Sequence, residues 1–167
     1  HFAAFEGRKA KRKLQAAEAL LFSIAPRPEA NELLADITFQ TALLHLREEN
    51  RGLADRTLVL MHRLSERDSI DQVRYPPDVV QAFEKARARA RKAKNQQGAQ
   101  LNITATYDGA PVFIDGKLVG TTPLQTRVEV GEHIVSIAAP QYQATARRLD
   151  LEPGPQEIKI DLEARSP

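Results

Sequence analysis

The sixteen residues Gly109 to Leu124, reading GAPVFIDGKLVGTTPL, constrain this chain more tightly than any other stretch. Val112 and Ile114 alternate with Phe113, Asp115-Gly116 interrupts the apolar run, and Leu118-Val119 resumes it. An Asp-Gly pair between two β-prone runs predicts a β-hairpin, because a type I′ turn needs positive φ at both central residues. Gly120 and Thr121-Thr122-Pro123 close the second arm, since Pro has no N–H to give a ladder and ends a strand or sits on an edge. The stretch specifies a fold and carries no chemistry.

Around it, everything beyond Gly98 has a period of two. The alternation predicts strands at Leu101–Tyr107, Pro111–Ile114, Lys117–Val119, Leu124–Val130, His133–Ala139, Ala144–Leu151 and Glu157–Leu162. Gly131-Glu132 and Glu152-Pro153-Gly154 read as turns between them. Val128, Val130, Val135, Ile137, Leu149, Leu151, Ile158, Ile160 and Leu162 are the expected inner face of an antiparallel sandwich. A sandwich of roughly 65 residues buries little of its own surface, so packing against the preceding helix or a neighbour is expected.

Before Gly98 the period is helical. Residues 3–24 read as one helix, with Leu14, Ala17, Leu21 and Ile24 on a stripe, stopped by Pro26 and Pro28. Glu29–Glu49 reads as a second, with Leu33, Ile37 and Leu44 on one face and Leu34, Leu43 and Leu46 beside them. Leu53, Leu60 and Leu64, flanked by Leu58 and Met61, give a third helix ending near Ser65. A fourth begins at Pro77 or Asp78, where the missing N–H of Pro costs nothing. Val79, Phe83, Ala86, Ala90 and Ala93 form its stripe, whose falling bulk predicts packed first turns and projecting later ones. Gly98 is the expected C-terminal cap after Asn95-Gln96-Gln97. The array resembles helical hairpins of tetratricopeptide type, without a 34-residue self-similarity.

The two halves also differ in charge. Residues 1–98 hold 18 Lys and Arg against 13 Asp and Glu, while residues 99–167 hold 6 against 9. The reading is therefore α+β in two modules: helical hairpins over 1–98, a small all-β sandwich over 99–163, and a tail over 164–167.

Gly109-Ala110, the run Val112 to Lys117, Gly120-Thr121-Thr122-Pro123-Leu124, and Gly131-Glu132-His133 before Val135 and Ile137 resemble a PEGA domain. That family is a small β-sandwich module of bacterial and archaeal envelope proteins. Its name-giving tetrapeptide here reads Tyr107-Asp108-Gly109-Ala110, and the Gly-Tyr pair usual after the fifth strand is Gln141-Tyr142. The resemblance makes Gly109, Asp115, Gly116, Gly120, Pro123 and Gly131 the fold-defining turn residues. It implies an extracytoplasmic location, in the periplasm or cell envelope, and no catalytic residues.

The residues themselves point away from chemistry. Cysteine is absent, which removes disulfides, thiol catalysis and thiolate metal sites. The histidines at 1, 45, 62 and 133 share no metal-ligand spacing, and His45-Leu46-Arg47-Glu48-Glu49 is not a zinc-binding helix. There is no phosphate-binding glycine loop and no Gly-x-Ser-x-Gly elbow, so no catalytic, cofactor or metal residue is assigned. Asp108 and Asp115 read as turn residues whose carboxylates bond backbone. No apolar run approaches the roughly 18 residues of a membrane helix. Arg8 to Lys13 followed by Leu14 to Ala25 has the outline of a signal peptide, but Gln15 and Glu18 break its apolar part. The stretch reads as an amphipathic helix, with any export signal or anchor expected outside these residues.

One charged run stands out: Lys85, Arg87, Arg89, Arg91, Lys92 and Lys94, six cations in ten residues without an acid. Clustered cations suit phosphate, yet Phe83 is the only ring nearby, where single-strand readout wants stacking aromatics. The first expectation is therefore a non-enzymatic envelope scaffold or adaptor. It would bind a protein partner, and a second protein or wall polymer such as peptidoglycan, through the helical groove, the sheet edges and the hairpin tips at Asp115-Gly116 and Gly131-Glu132. The alternative is an anion-binding module using residues 85–94 for nucleic acid or a polyanionic polymer, with nucleic acid ranked below protein.

Overall fold

The structure is a computed structural model that describes residues 2–96 and 98–166. His1, Gln97 and the final residue of the expected tail lie outside the described residues. Four helices come first: α1 (Phe2–Phe22), α2 (Pro28–Arg47), α3 (Arg51–Leu64) and α4 (Pro77–Ala93). Seven strands follow: β1 (Ala99–Ala105), β2 (Pro111–Ile114), β3 (Lys117–Thr121), β4 (Leu124–Val128), β5 (Gly131–Ile137), β6 (Thr145–Leu151) and β7 (Gly154–Ile160). The expected α+β arrangement in two modules is what the chain adopts.

The helix ends follow from local chemistry. Pro occupies the first turn of α2 and of α4, where no intrahelical partner for its nitrogen is needed. Asn50 caps α3 by accepting from the Leu53 amide at 3.2 Å. Gly98 does not cap α4. The helix ends at Ala93 with Lys94 as its last half-helical residue, and Gly98 instead lies where a Cβ would come within 3.1 Å of Val130.

The strands form two sheets, β4-β1-β7 and β3-β2-β5-β6. The Asp115-Gly116 hairpin is present, with φ of 51° and 79° at its two central residues, as a type I′ turn requires. A register shift between Val112 and Phe113 leaves Val119 of β3 as the extra residue of a bulge. The antiparallel expectation needs one correction, because β1 and β7 pair in parallel. Between them the chain passes through the second sheet, which supplies the long crossover that parallel neighbours need.

Two apolar clusters result. Leu101, Ile103, Val112, Val135, Ile137 and Ile160 are among the residues filling the space between the sheets. Leu34, Phe39, Leu58, Leu60, Met61 and Phe83 anchor the helical core, and Ile134 of β5 joins them. The helices thus form a third layer over the outer face of the larger sheet, which is why β5 is buried from His133 through Ile137 rather than at alternate residues.

Four apolar positions read as core are outside it: Ile24 is 39% exposed, Leu33 50%, Leu53 38% and Val130 40%. The packed face of α2 is instead Ala30, Leu34, Thr38 and Ala42. Small residues at four-residue spacing let α3 approach closely, and the Thr38 hydroxyl donates to the Leu34 carbonyl at 2.6 Å. The later turns of α4 also pack, since Ala86 and Ala90 are buried where projection was expected. Their small size is the mark of close helix contact.

His62 of α3 illustrates the cost of such packing. Its Nε2 donates to the Phe83 carbonyl at 3.1 Å, and its ring meets the Phe83 ring edge-on at 4.5 Å. Burial lowers the His62 pKa; Arg87 and Arg91 add to the lowering, against the raising pull of that hydrogen bond and of Glu84. With the folded pKa below the unfolded one, the unfolded chain takes up the proton first as pH falls. Stability is expected to decline as pH drops below about 6.5, the unfolded value. Thermal melts between neutral and mildly acidic pH should show a steeper loss in the parent chain than in His62→Gln.

The turn makes a second prediction. A Cβ at Gly116 would lie 2.6 Å from the Asn31 amide group, which is itself held by a 2.6 Å bond to the Leu64 carbonyl. Gly116→Val should destabilise the fold by more than about 1 kcal/mol in urea unfolding, from positive-φ strain and this collision together. Asn31→Ala in the same chain should recover the collision part alone, so the two substitutions are expected to be non-additive.

Candidate interaction surfaces

The hairpin tips, expected to be free for partners, are used inside the molecule. Asp115-Gly116 abuts Asn31 of α2. Gly131 sits 3.3 Å, at its would-be Cβ, from the guanidinium of Arg63. From the end of α3, Arg63 donates to the Glu132 carbonyl at 2.6 Å and the Val130 carbonyl at 3.1 Å. Burial pulls the Arg63 pKa down from its ordinary value, while Asp115, Glu129 and Glu132 pull it up; guanidinium stays charged throughout. Arg56 pairs with Asp150 and approaches Glu132, and Arg148 of β6 pairs with Glu18 of α1 at 2.7 Å.

Beneath this seam lies a buried polar pair. Asp115 accepts from the Ile134 amide at 2.9 Å through one oxygen and faces His133 Nδ1 at 2.6 Å through the other. His133 Nε2 faces the Glu129 carbonyl at 2.9 Å. The carboxylate bonds backbone, as turn aspartates do, but across to β5 rather than within its own turn. Gly109, Gly120 and Pro123 belong to a neighbouring knot. There Gly109 has φ of 83°, and the Thr122 hydroxyl donates to the Tyr107 carbonyl at 2.7 Å and accepts from the Ala110 amide at 3.1 Å.

A wide concavity lies on the helical module. A groove of about 980 Å³ runs between the C-terminal end of α2, the start of α3 and the first half of α4. Leu46, Ala54 and Ala82 contribute its apolar lining. Glu49, Asp55, Asp78 and Glu84 contribute carboxylates, against Arg51 and Lys85. Its lining is net acidic although the module as a whole is basic.

The basic helix is largely explained by its neighbours. Arg87 pairs with Glu84 at 2.7 Å and donates to the Asp68 carbonyl at 2.5 Å, Arg91 pairs with Asp68 at 3.1 Å, and Arg89 pairs with Asp55. One flank thus fastens the α3–α4 connection and the other fastens α3. Lys85, Lys92 and Lys94 make no ion pair among the described residues. Residues 85–94 are thereby a structural strap before they are an anion site.

Among the described residues, no group of three or more His, Asp or Glu side chains is placed to hold a metal ion, and no helix is long and apolar enough to cross a membrane. His45 and His133 are buried and His62 half-buried, in three different environments. The residues that sequence reasoning missed are Arg56 and Arg63, which join the modules, and Asn31, which ties α2 to the end of α3 beside Gly116. Nothing in their local sequence marks them, because their partners are 33 to 94 positions away.

Residues 99–166 match the family model described as PEGA domain. The match starts at the first residue of β1 and covers both sheets. No curated protein matches the chain. The β module is thus similar to a PEGA domain, while α1 to α4 lie outside the matched residues.

Replacing Arg87, Arg91 and Lys94 by Gln should lower stability by about 1–2 kcal/mol. Partly exposed ion pairs contribute up to about 1 kcal/mol each, and Arg87 also satisfies a carbonyl. A thermal melt of the triple variant checks this; an unchanged midpoint would return these residues to a purely solvated role.

Proposed function

We propose that the chain is a non-enzymatic scaffold or adaptor of the cell envelope, with the α2–α3–α4 groove as its protein-binding surface. The observation that carries this reading is the groove itself, about 980 Å³ with apolar residues between carboxylates. A partner segment that alternates apolar side chains with Lys or Arg fits both features, the former desolvating against Leu46 and Ala82 and the latter meeting Glu49 and Asp78, which make no ion pair among the described residues. The groove lies between antiparallel helices, the kind of site helical-hairpin arrays of tetratricopeptide type present. The likeness of residues 99–166 to a PEGA domain supports an envelope setting, and the lack of cysteine is compatible with it. The β module then engages a second protein or the wall polymer through an edge strand such as β3, where Leu118 is 64% exposed.

The alternative is anion binding by residues 85–94. It rests on Lys85, Lys92 and Lys94, and it ranks second because the arginines of the run are engaged with Asp55, Glu84 and Asp68.

A labelled peptide of alternating Lys and Leu, followed by fluorescence anisotropy, tests the groove. Binding is expected, weakened at least about tenfold by Glu49→Gln with Asp78→Asn, because two charge-assisted contacts are removed. A peptide that does not bind, or binds the double variant equally well, would overturn the assignment. Sedimentation with purified peptidoglycan, with and without Leu118→Lys, reads the wall-polymer arm separately.

A further inference from the structure

The first half of α1 carries a charge feature that the scaffold role leaves unused. Arg8, Lys9, Lys11, Arg12 and Lys13 place five cations in six residues, with Glu6 as the one acid before Glu18. All five are exposed, and none makes an ion pair among the described residues, where the ion pair of α1 is Glu18 with Arg148. The contrast with α4 is direct, since there the arginines are tied to acids of neighbouring elements.

The same helix adds an apolar element to this row. It packs through Leu14 and Ala17, half-buried, and Leu21, buried. At about 100° per residue, Lys9, Lys13 and Leu20 fall within about 40° of one another, turned away from Leu14 and Leu21, with Arg12 beside them. Leu20 is 72% exposed, and Ile24 just past the helix is 39% exposed. A row of cations that ends in outward apolar side chains matches a bilayer surface, where phosphate headgroups lie above acyl chains. A nucleic-acid backbone offers the phosphates but gives Leu20 nothing to bury against.

We propose that this face of α1 docks on an anionic phospholipid surface, with Lys9, Arg12 and Lys13 at headgroup phosphates and Leu20 and Ile24 at the acyl boundary. The helix lies on the surface and does not cross it, being too polar to span a bilayer. The site is separate from the groove between α2, α3 and α4, so either can fail without the other.

The test uses the 167-residue chain in flotation with vesicles of phosphatidylcholine containing about one third phosphatidylglycerol, and with pure phosphatidylcholine. Binding is expected to the anionic vesicles only, falling with added salt. Each cation near such a surface contributes roughly fivefold in affinity. Lys9→Gln, Arg12→Gln and Lys13→Gln together should therefore weaken it by roughly a hundredfold. Leu20→Gln alone should weaken vesicle binding several-fold and leave binding to a duplex DNA control unchanged. Circular dichroism checks that the triple variant folds; if it does not, the salt series and Leu20→Gln decide. Equal binding to neutral vesicles, a triple variant that binds undiminished, or DNA binding tighter than vesicle binding with Leu20 indifferent would each overturn the proposal.

Discussion

Strand β5 has to bury both of its faces, and much of the molecule is arranged around that requirement. Val135 and Ile137 face the space between the sheets, while Ile134 belongs to the helical core. A seven-stranded module of this size has too little interior to cover the outer face of its larger sheet. The helices supply the missing layer, and α3 lies against β5 as the principal contact between the modules. Apolar burial drives this association without direction, so polar contacts have to set its register.

Those polar contacts are concentrated at two turns. Arg63 satisfies the carbonyls on both sides of Gly131, and the Asp115 carboxylate joins the first hairpin to the His133–Ile134 backbone. Buried charges of this kind are tolerable only when their bonding capacity is met. Gly116 and Gly131 have positive φ and stand close to side chains from the helices. The glycines therefore serve two ends at once, turning the strand and admitting the neighbouring module. The turns that looked like exposed tips are the places where the two modules are fitted together.

Charge is redistributed by folding in a way that its linear order conceals. In α4 the helix places arginines on two flanks, and the acids that meet them come from α3, from the α3–α4 connection and from α4 itself. The groove beside α4 is lined by four carboxylates, two of them engaged by these arginines, although the helix carries six cations in ten residues. On α1 no such partners appear among the described residues, and the cations stay at the surface. Long-range attraction depends on the charge that remains uncompensated.

Much of the architecture was legible in the chain before any coordinates. The switch from a helical period to a period of two, the prolines at helix starts and the Asp115-Gly116 pair each act over a few residues, so α1 to α4, seven strands and a type I′ hairpin could be read locally. The likeness of the β module to a PEGA domain was legible for the same reason, because its turn residues lie close together in sequence. What folding alone decided involves residues far apart. Leu33 and Leu53 point outward while Ala30, Thr38 and Ala42 are buried, because helix approach distance rather than side-chain size selects the packed face. The parallel pairing of β1 with β7, the Asn31 and Arg63 contacts and the neutralised arginines of α4 all depend on partners brought together from distant positions. A linear pattern records which face an element can bury; only the folded chain determines what that face meets.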